Sequence, residues 1–364
     1  MKVAMVFPDP SSEKGISKYS LDLIENIKKR GINIDEITFM AGKPFTLLKK
    51  LKQFLKYDVI HMQHEYNMLG GYGLPYFFLF SFLGIFKKKS LIVTMHTVPS
   101  QKTIFKGGLI KNFLRKLLYK IQNKWINWAS NKIIVHTNFF KEILINEYSI
   151  PKEKIKVLPH AIIEDLKITN KTKAKKELNL SGPVYLLIGT IIPDHGHDII
   201  IKQADKIGKT ILVVTNPSAV NDRNVEKIKN FLELNKNIVK QNNFEKFVRF
   251  DLGFVPYETW WKYFSAADLI LLPYRGGIGS GLFADAMAMK KPVIASNIPY
   301  FRDFAQNYEC VELAKDDEDF QRVIKKAMKP ENYKKMVEES ERYFNENGLT
   351  SISKKYKKLY ESLK

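Results

Sequence analysis

The chain has 364 residues, too many for one ordinary α/β core and enough for two domains of common size. Hydrophobic residues make up 45% and charged residues 27%, without a low-complexity tract or a repeat of fixed period, which excludes disordered and solenoid classes. A lone cysteine, Cys310, excludes a disulfide framework and any multi-cysteine metal site, and it fits a reducing compartment.

The formal charge of +21 is uneven: residues 1–170 hold 27 Lys/Arg against 13 Asp/Glu. No acidic residue falls between Glu65 and Glu142. Such asymmetry points to a polyanionic partner of the N-terminal half, with anionic lipid, nucleic acid and an acidic substrate all compatible. Nucleic acid is the weaker option, because the basic residues lie beside long apolar runs and no nucleic-acid module is recognisable.

In chain order, short β-rich apolar runs alternate with segments of helical period, the pattern of parallel α/β domains. The first half predicts strands at Val3–Phe7, Asn33–Thr38, Val59–Gln63, Leu91–His96, Lys132–Thr137 and Lys156–Pro159. Val3–Phe7 is strand-length and runs straight into a polar loop, so no signal peptide is expected. The second half predicts strands at Val184–Gly189, Thr210–Thr215, Val248–Leu252, Leu269–Pro273, Pro292–Ser296 and Val311–Ala314. The Lys-rich stretch Glu164–Glu177 reads as the domain junction, and the terminal helix near Leu349–Leu363 reads as returning to the first domain.

Ligands of open parallel sheets bind at the carboxyl ends of strands, so the loops there carry the candidates. The first loop is PDPSSEKGISK, Pro8–Lys18, where Gly15 lets backbone approach a ligand and the next helix offers unpaired N–H groups to an anion. His61 and His64 share one strand face, but no third ligand completes a metal site, so they read as packing. His96 ends its strand before Thr97 and Pro99, equally suited to a functional or a backbone-capping role. The segment LLIGTIIPDHGHDIII, residues 186–201, predicts a helix start near Asp198 that is either ready for phosphate, with His195 as a further donor, or simply capped by Asp198 with no ligand.

The most specific segment is residues 267–296. A strand ends in a loop holding Arg275, Gly276, Gly277, Gly279, Ser280 and Gly281, and a helix carrying Asp285 follows. Glycine flexibility, a guanidinium, a hydroxyl and a positive helix end are the parts needed to hold a diphosphate. In the first half, the 13-residue run Leu74–Phe86 is too short to span a bilayer and is followed by Lys87, Lys88 and Lys89. Residues 104–128 then interleave Phe105, Leu109, Phe113, Leu117 and Trp125 with basic residues, as in a helix lying on an anionic membrane or, alternatively, in one whose apolar residues are ordinary core and whose lysines form a solvated face.

These segments together resemble the GT-B glycosyltransferases of glycosyltransferase family 4 (glycosyl transferases group 1). The likeness runs through GISKY, DVIHMQH, LIVTMHTVP and NKIIVHTNFFKEILINEYSIPKEKIKVLPHA. It continues through LLIGTIIPDHGHD, VRFDLGFVPYETWWKYFSAADLILLPY, PVIAS and FNENGLTSISKKYKKLY. The resemblance implies an α/β fold of two Rossmann-like domains facing across a cleft. Residues 1–165 with the returning helix 346–364 would be the acceptor domain, and 166–345 the donor domain. It implies retaining transfer from a UDP- or GDP-sugar as co-substrate, without metal or other cofactor, to a lipid-linked or saccharide acceptor. The protein would be cytoplasmic and peripheral on the inner face of an anionic membrane.

By the same resemblance His96 contacts the donor sugar at the reaction centre, and Gly15 approaches the diphosphate. Val255 in GFVP receives the base, and Asp285 binds the ribose hydroxyls. Leu282 joins the donor loop with Ser280 and Gly281. This chain departs from the pattern at Gly277, where the first acid of the family's acidic pair would stand. It departs again at Thr190 and His195, where the diphosphate cations would stand; Arg275 and the Ser280–Gly281 amides are the expected substitutes. A non-catalytic GT-B subunit that binds a partner is the alternative. No pair of carboxylates is placed for double displacement, so the departing phosphate is expected to accept the acceptor's proton.

Overall fold

The computed structural model describes residues 1–13, 15–85, 90–105, 108–166, 168–216, 222–276 and 279–363. The chain divides into two compact units, Met1–Ala161 with Leu349–Lys364 and Ile162–Gly348.

The first unit holds six parallel strands: β1 (Lys2–Pro8), β2 (Asn33–Phe39), β3 (Val59–His64), β4 (Ser90–Met95), β5 (Lys132–Val135) and β6 (Ile155–Val157), in the order β2-β1-β3-β4-β5-β6. Registers such as Val3↔Val59 and Val59↔Ser90 align the strand starts. The second unit holds β7 (Val184–Ile188), β8 (Thr210–Thr215), β9 (Val248–Leu252), β10 (Leu269–Leu272), β11 (Val293–Ser296) and β12 (Val311–Ala314), in the order β12-β11-β10-β7-β8-β9. All pairs in both sheets are parallel.

Helices cover both faces of each sheet, so central strands are buried on both sides and read as continuous apolar runs. β3, β7 and β10 are buried throughout. Alternation divides the cores: Ala4 and Val6 join one apolar cluster while Val3, Met5 and Phe7 join another. Leu186 and Ile188 separate from Tyr185 and Leu187 in the same way.

The terminal helix, Leu349–Glu361, belongs to the first unit and packs on helix Gly15–Lys28. Arg30 Nε donates to Ser353 Oγ at 2.6 Å, and Lys357 Nζ to Arg30 O at 2.9 Å. Glu164–Glu177 does not separate the units. Within it, helix Lys171–Glu177 is capped by Asn170 and pairs through Lys175 with Asp268 at 2.8 Å, inside the second unit. The chain leaves and re-enters the first unit at Ala161 and Leu349 rather than at 165 and 346. Among the described residues, no helix is long and apolar enough to cross a membrane.

Candidate functional site

Strand order locates the candidate loops. An open parallel sheet opens a crevice where successive connections leave to opposite sides. That switch point lies between β1 and β3 in the first unit and between β7 and β10 in the second. The loops after β1, β7 and β10 are those singled out from sequence.

In the second unit the loops after β7 and β10 are fastened together. His195 Nδ1 donates to Thr190 O at 2.7 Å, which leaves Nε2 of the neutral ring as an acceptor. Only the imidazolium would therefore donate to a phosphate. The His195 ring stacks on Tyr274 at 4.7 Å and 17°. Gly196 has φ +64°, and a Cβ there would lie 1.9 Å from Pro273 O, so only glycine admits this approach.

Arg275 does not present a free cation. Its Nη1 donates to Asp198 Oδ1 at 2.8 Å and its Nη2 to Asp198 Oδ2 at 2.7 Å, while Nη1 also reaches Pro193 O at 2.8 Å. Burial alone would raise the Asp198 carboxyl, but Arg275 and then Lys202 hold it below its ordinary range. The helix near Asp198, expected to be ready for phosphate, already has a carboxylate at its start. That helix, His197–Ile201, is five residues long and carries the Asp198 carboxylate in its own first turn.

Helix Gly281–Ala288 is open at its N-terminus. Ser280 caps it by accepting from Phe283 N at 3.2 Å and lies 3.1 Å from Tyr274 Oη. Gly281 is exposed, and a Cβ at Gly276, Gly279 or Gly281 would meet nothing within 4 Å. The Gly281 and Leu282 amides, unlike that of Phe283, have no acceptor among the described residues and suit an anion. Asp285, one turn further, accepts from Trp260 Nε1 at 3.1 Å. Trp260 was not legible as a site residue, since its pairing spans 25 positions. Val255 is half-buried against the core, beside Phe254, which is 81% exposed. Gly277 lies outside the described residues.

In the first unit the amides expected to receive an anion at Gly15 are occupied. Glu13 Oε1 accepts from Gly15 N at 2.7 Å, and Glu13 Oε2 from Ile16 N at 2.7 Å and Ser17 N at 3.1 Å. The carboxylate neutralises the positive end of helix Gly15–Lys28 from within the loop.

His96 follows β4 and is half-buried. Its Nε2 pairs with Gln63 Oε1 at 2.8 Å; because that oxygen only accepts, Nε2 carries the hydrogen and Nδ1 keeps its lone pair. Tyr19 meets the His96 ring edge-on at 5.4 Å, with His136 at 5.0 Å and His160 at 6.4 Å. Burial first, and then the neighbouring histidines, hold His96 well below the ordinary histidine range. It is a neutral hydrogen-bonding ring rather than a cation. His136 and His160 end or follow neighbouring strands as His96 does, the one sequence signal that could have found them. Their Nδ1 atoms meet Leu158 O at 2.9 Å and Ala161 O at 3.2 Å. His61 and His64 are buried: His61 lies between Tyr360 Oη (2.6 Å) and Thr94 Oγ1 (2.7 Å). Among the described residues no group of three or more His, Cys, Asp or Glu could hold a metal ion.

Two six-stranded parallel units, each with its candidate loops at a switch point, define an α/β protein of the two-domain GT-B class. The sequence matches the model of Glycosyltransferase Family 4 over residues 2–166 and that of Glycosyl transferases group 1 over residues 169–348. The chain belongs to this family of glycosyltransferases. Many solved structures share its fold, among them the following three. Sucrose-phosphate synthase from Thermosynechococcus elongatus has a TM-score of 0.74 and 16% identity, covering 100% of this chain and 99% of that one. Anabaena HepE in complex with UDP has 0.73 and 13%, covering 100% of each. A glycosyltransferase from Rickettsia africae ESF-5 has 0.71 and 15%, covering 100% and 98%. No curated protein matches the sequence.

Proposed function

We propose that this glycosyltransferase moves a sugar from a UDP- or GDP-sugar, with retention of configuration, onto a lipid-linked or saccharide acceptor. The observation that carries the reading is the β7/β10 switch point. There an open helix N-terminus at Gly281, glycines with free space around them and the Asp285–Trp260 pair converge. HepE, which shares the fold, was solved with UDP. The diphosphate would rest on the Ser280, Gly281 and Leu282 segment, flanked by Thr190 and His195. Arg275 would join by exchanging Asp198 for phosphate, and Glu13 would release the amides at Gly15 in the same way. Asp285 would accept the ribose hydroxyls, and the Val255 backbone would receive the base.

The acceptor oxygen bonds to the anomeric carbon on the face that the leaving group vacates, as the bond from that carbon to the phosphate oxygen breaks. The acceptor's proton passes to the departing phosphate, giving the nucleoside diphosphate. His96, neutral and held by Gln63, offers Nδ1 to a sugar hydroxyl. The protein contributes positioning and charge neutralisation, and the donor is a co-substrate with no further cofactor invoked. The basic first half suits work at the inner, anionic face of a membrane, in the cytoplasm and without nucleic acid.

One observation favours a second reading. Asp198 on Arg275 and Glu13 on the Gly15 amides occupy two candidate donor contacts, as in a subunit that binds a partner without catalysis. Thermal melts with UDP- and GDP-sugars, followed by transfer assays with His96→Ala, decide between them. The expected outcome is protection by one donor class, with His96→Ala keeping both melting temperature and protection while losing at least tenfold in rate. Absence of protection at millimolar concentrations of every donor refutes the enzyme reading.

A further inference from the structure

Helix Gly108–Ala129 carries amides inward and leucines outward. Its buried face presents Gln122 and Asn123; Tyr66 Oη donates to Asn123 Oδ1 at 2.7 Å, and Gln122 Nε2 lies 3.3 Å from His64 Nε2. Its outward face is apolar: Leu109 is 90% exposed, Ile110 77%, Phe113 67%, Leu114 50% and Leu117 42%. With 3.6 residues per turn, these five fall within an arc of about 140°. The exposed Lys120 and Lys124 continue that arc, and Lys111 flanks it. The neighbouring helix Pro75–Ile85 packs on this one, through Phe77 against Trp125 at 5.5 Å, and leaves Phe78 and Ile85 about as exposed. Lys87, Lys88, Lys89 and Lys106 lie outside the described residues.

We infer that this outward face is a docking surface for an anionic lipid bilayer, with the leucine and phenylalanine side chains inserted among the headgroups. The inference rests on the membrane reading above and gives it a place on the molecule. A contiguous apolar face of this kind on a soluble domain marks an interaction site. Its charge selects the occupant. No acid falls between Glu65 and Glu142, so self-pairing of this face across a two-fold axis would oppose lysine to lysine. An anionic bilayer offers a hydrocarbon layer for the leucines and phosphates for the lysines at once. The helix bears Lys111, Arg115, Lys116, Lys120 and Lys124, which forbids spanning and suits lying in the interface plane.

Insertion and charge make different predictions for salt. Flotation of the full chain with vesicles of phosphatidylcholine and phosphatidylglycerol should recover protein at low salt and retain part of it at 0.5 M salt. Phe113→Ser/Leu117→Ser, outward on the helix and expected to melt like the parent, should lose at least tenfold in bound fraction at both salts. Lys120→Gln/Lys124→Gln should lose binding mainly at low salt. The inference is overturned if the parent stays in solution with anionic vesicles at low salt, or if Phe113→Ser/Leu117→Ser floats unchanged. It is equally overturned if sedimentation without lipid shows a dimer that this variant dissociates. Nucleotide-sugar protection is measured on the same samples. Protection without flotation removes the docking face and leaves the transferase reading; flotation without protection does the reverse.

Discussion

At Arg275 two parallel N–H···O bonds join the guanidinium to Asp198, whose side chain is 6% exposed against 37% for the arginine. This fork geometry suits a carboxylate and a phosphate equally well. On the proposed reading a donor diphosphate would compete with Asp198 for the same cation, and its affinity would carry the cost of separating them. Asp198→Asn weakens the competitor and should tighten donor binding several-fold. Arg275→Ala should weaken donor binding and destabilise the second unit by about 1–2 kcal/mol, the exposure of Arg275 reducing the effect of breaking a buried pair. Calorimetric titration of both variants checks this; donor affinity unchanged in both would remove Arg275 from the donor site.

Among the elements, the short turn Gly71–Gly73 supports the inward face of helix Gly108–Ala129. Gly73 has φ +82°, and a Cβ there would lie 2.7 Å from Tyr66 O and 2.9 Å from Gln122 Oε1. Gly31 has a similar φ of +79° with nothing within 4 Å. Gly31→Ala should therefore cost only the backbone term of roughly 1 kcal/mol. Gly73→Ala should cost about 2 kcal/mol more, because a backbone oxygen cannot swing aside. Equal losses in chemical denaturation would show that Gly73 is chosen for its dihedral alone.

The same elements show what a sequence discloses. The central strands were legible because strands buried on both faces read as short apolar runs, and the ends of the twelve strands among the described residues were placed to within a residue or two. The i, i+4 series Leu109, Phe113 and Leu117 was legible as a stripe, whereas its direction was not. Periodicity fixes that residues share a face, and only the partners of Gln122 and Asn123 decide which face turns inward. The loops after β7 and β10 were legible as polar strand ends. The closure of Asp198 on Arg275 and of Glu13 on Gly15 was not, because each depends on the path of an irregular loop.

Over the whole molecule, the histidines couple stability to pH. Burial lowers His61, His64 and His160 to about 3 and His136 to about 4, all in the first unit. In the second unit His197 is lowered to about 3 by burial and then by His195. A histidine whose folded pKa lies below its unfolded value of about 6.5 is neutral in both states at high pH. Between those two values the unfolded chain binds the proton and the folded one does not, so stability falls as the pH drops. At pH 5.5 each such ring costs about 1.4 kcal/mol relative to high pH. With these four, and His96 lowered by burial and its histidine neighbours as well, the first unit should lose several kcal/mol between pH 7.5 and 5.5, and its melting transition should move further than that of the second. The formal charge of +21 works in the same direction, since every added proton increases self-repulsion. His64→Phe keeps the ring contact with Tyr76, at 4.6 Å in the parent, while removing one titrating group. Whatever it does to absolute stability, its loss between pH 7.5 and 5.5 should be smaller than the parent's by about 1.4 kcal/mol. A pH dependence identical to the parent's would mean that His64 is protonated in the folded chain as readily as in the unfolded one.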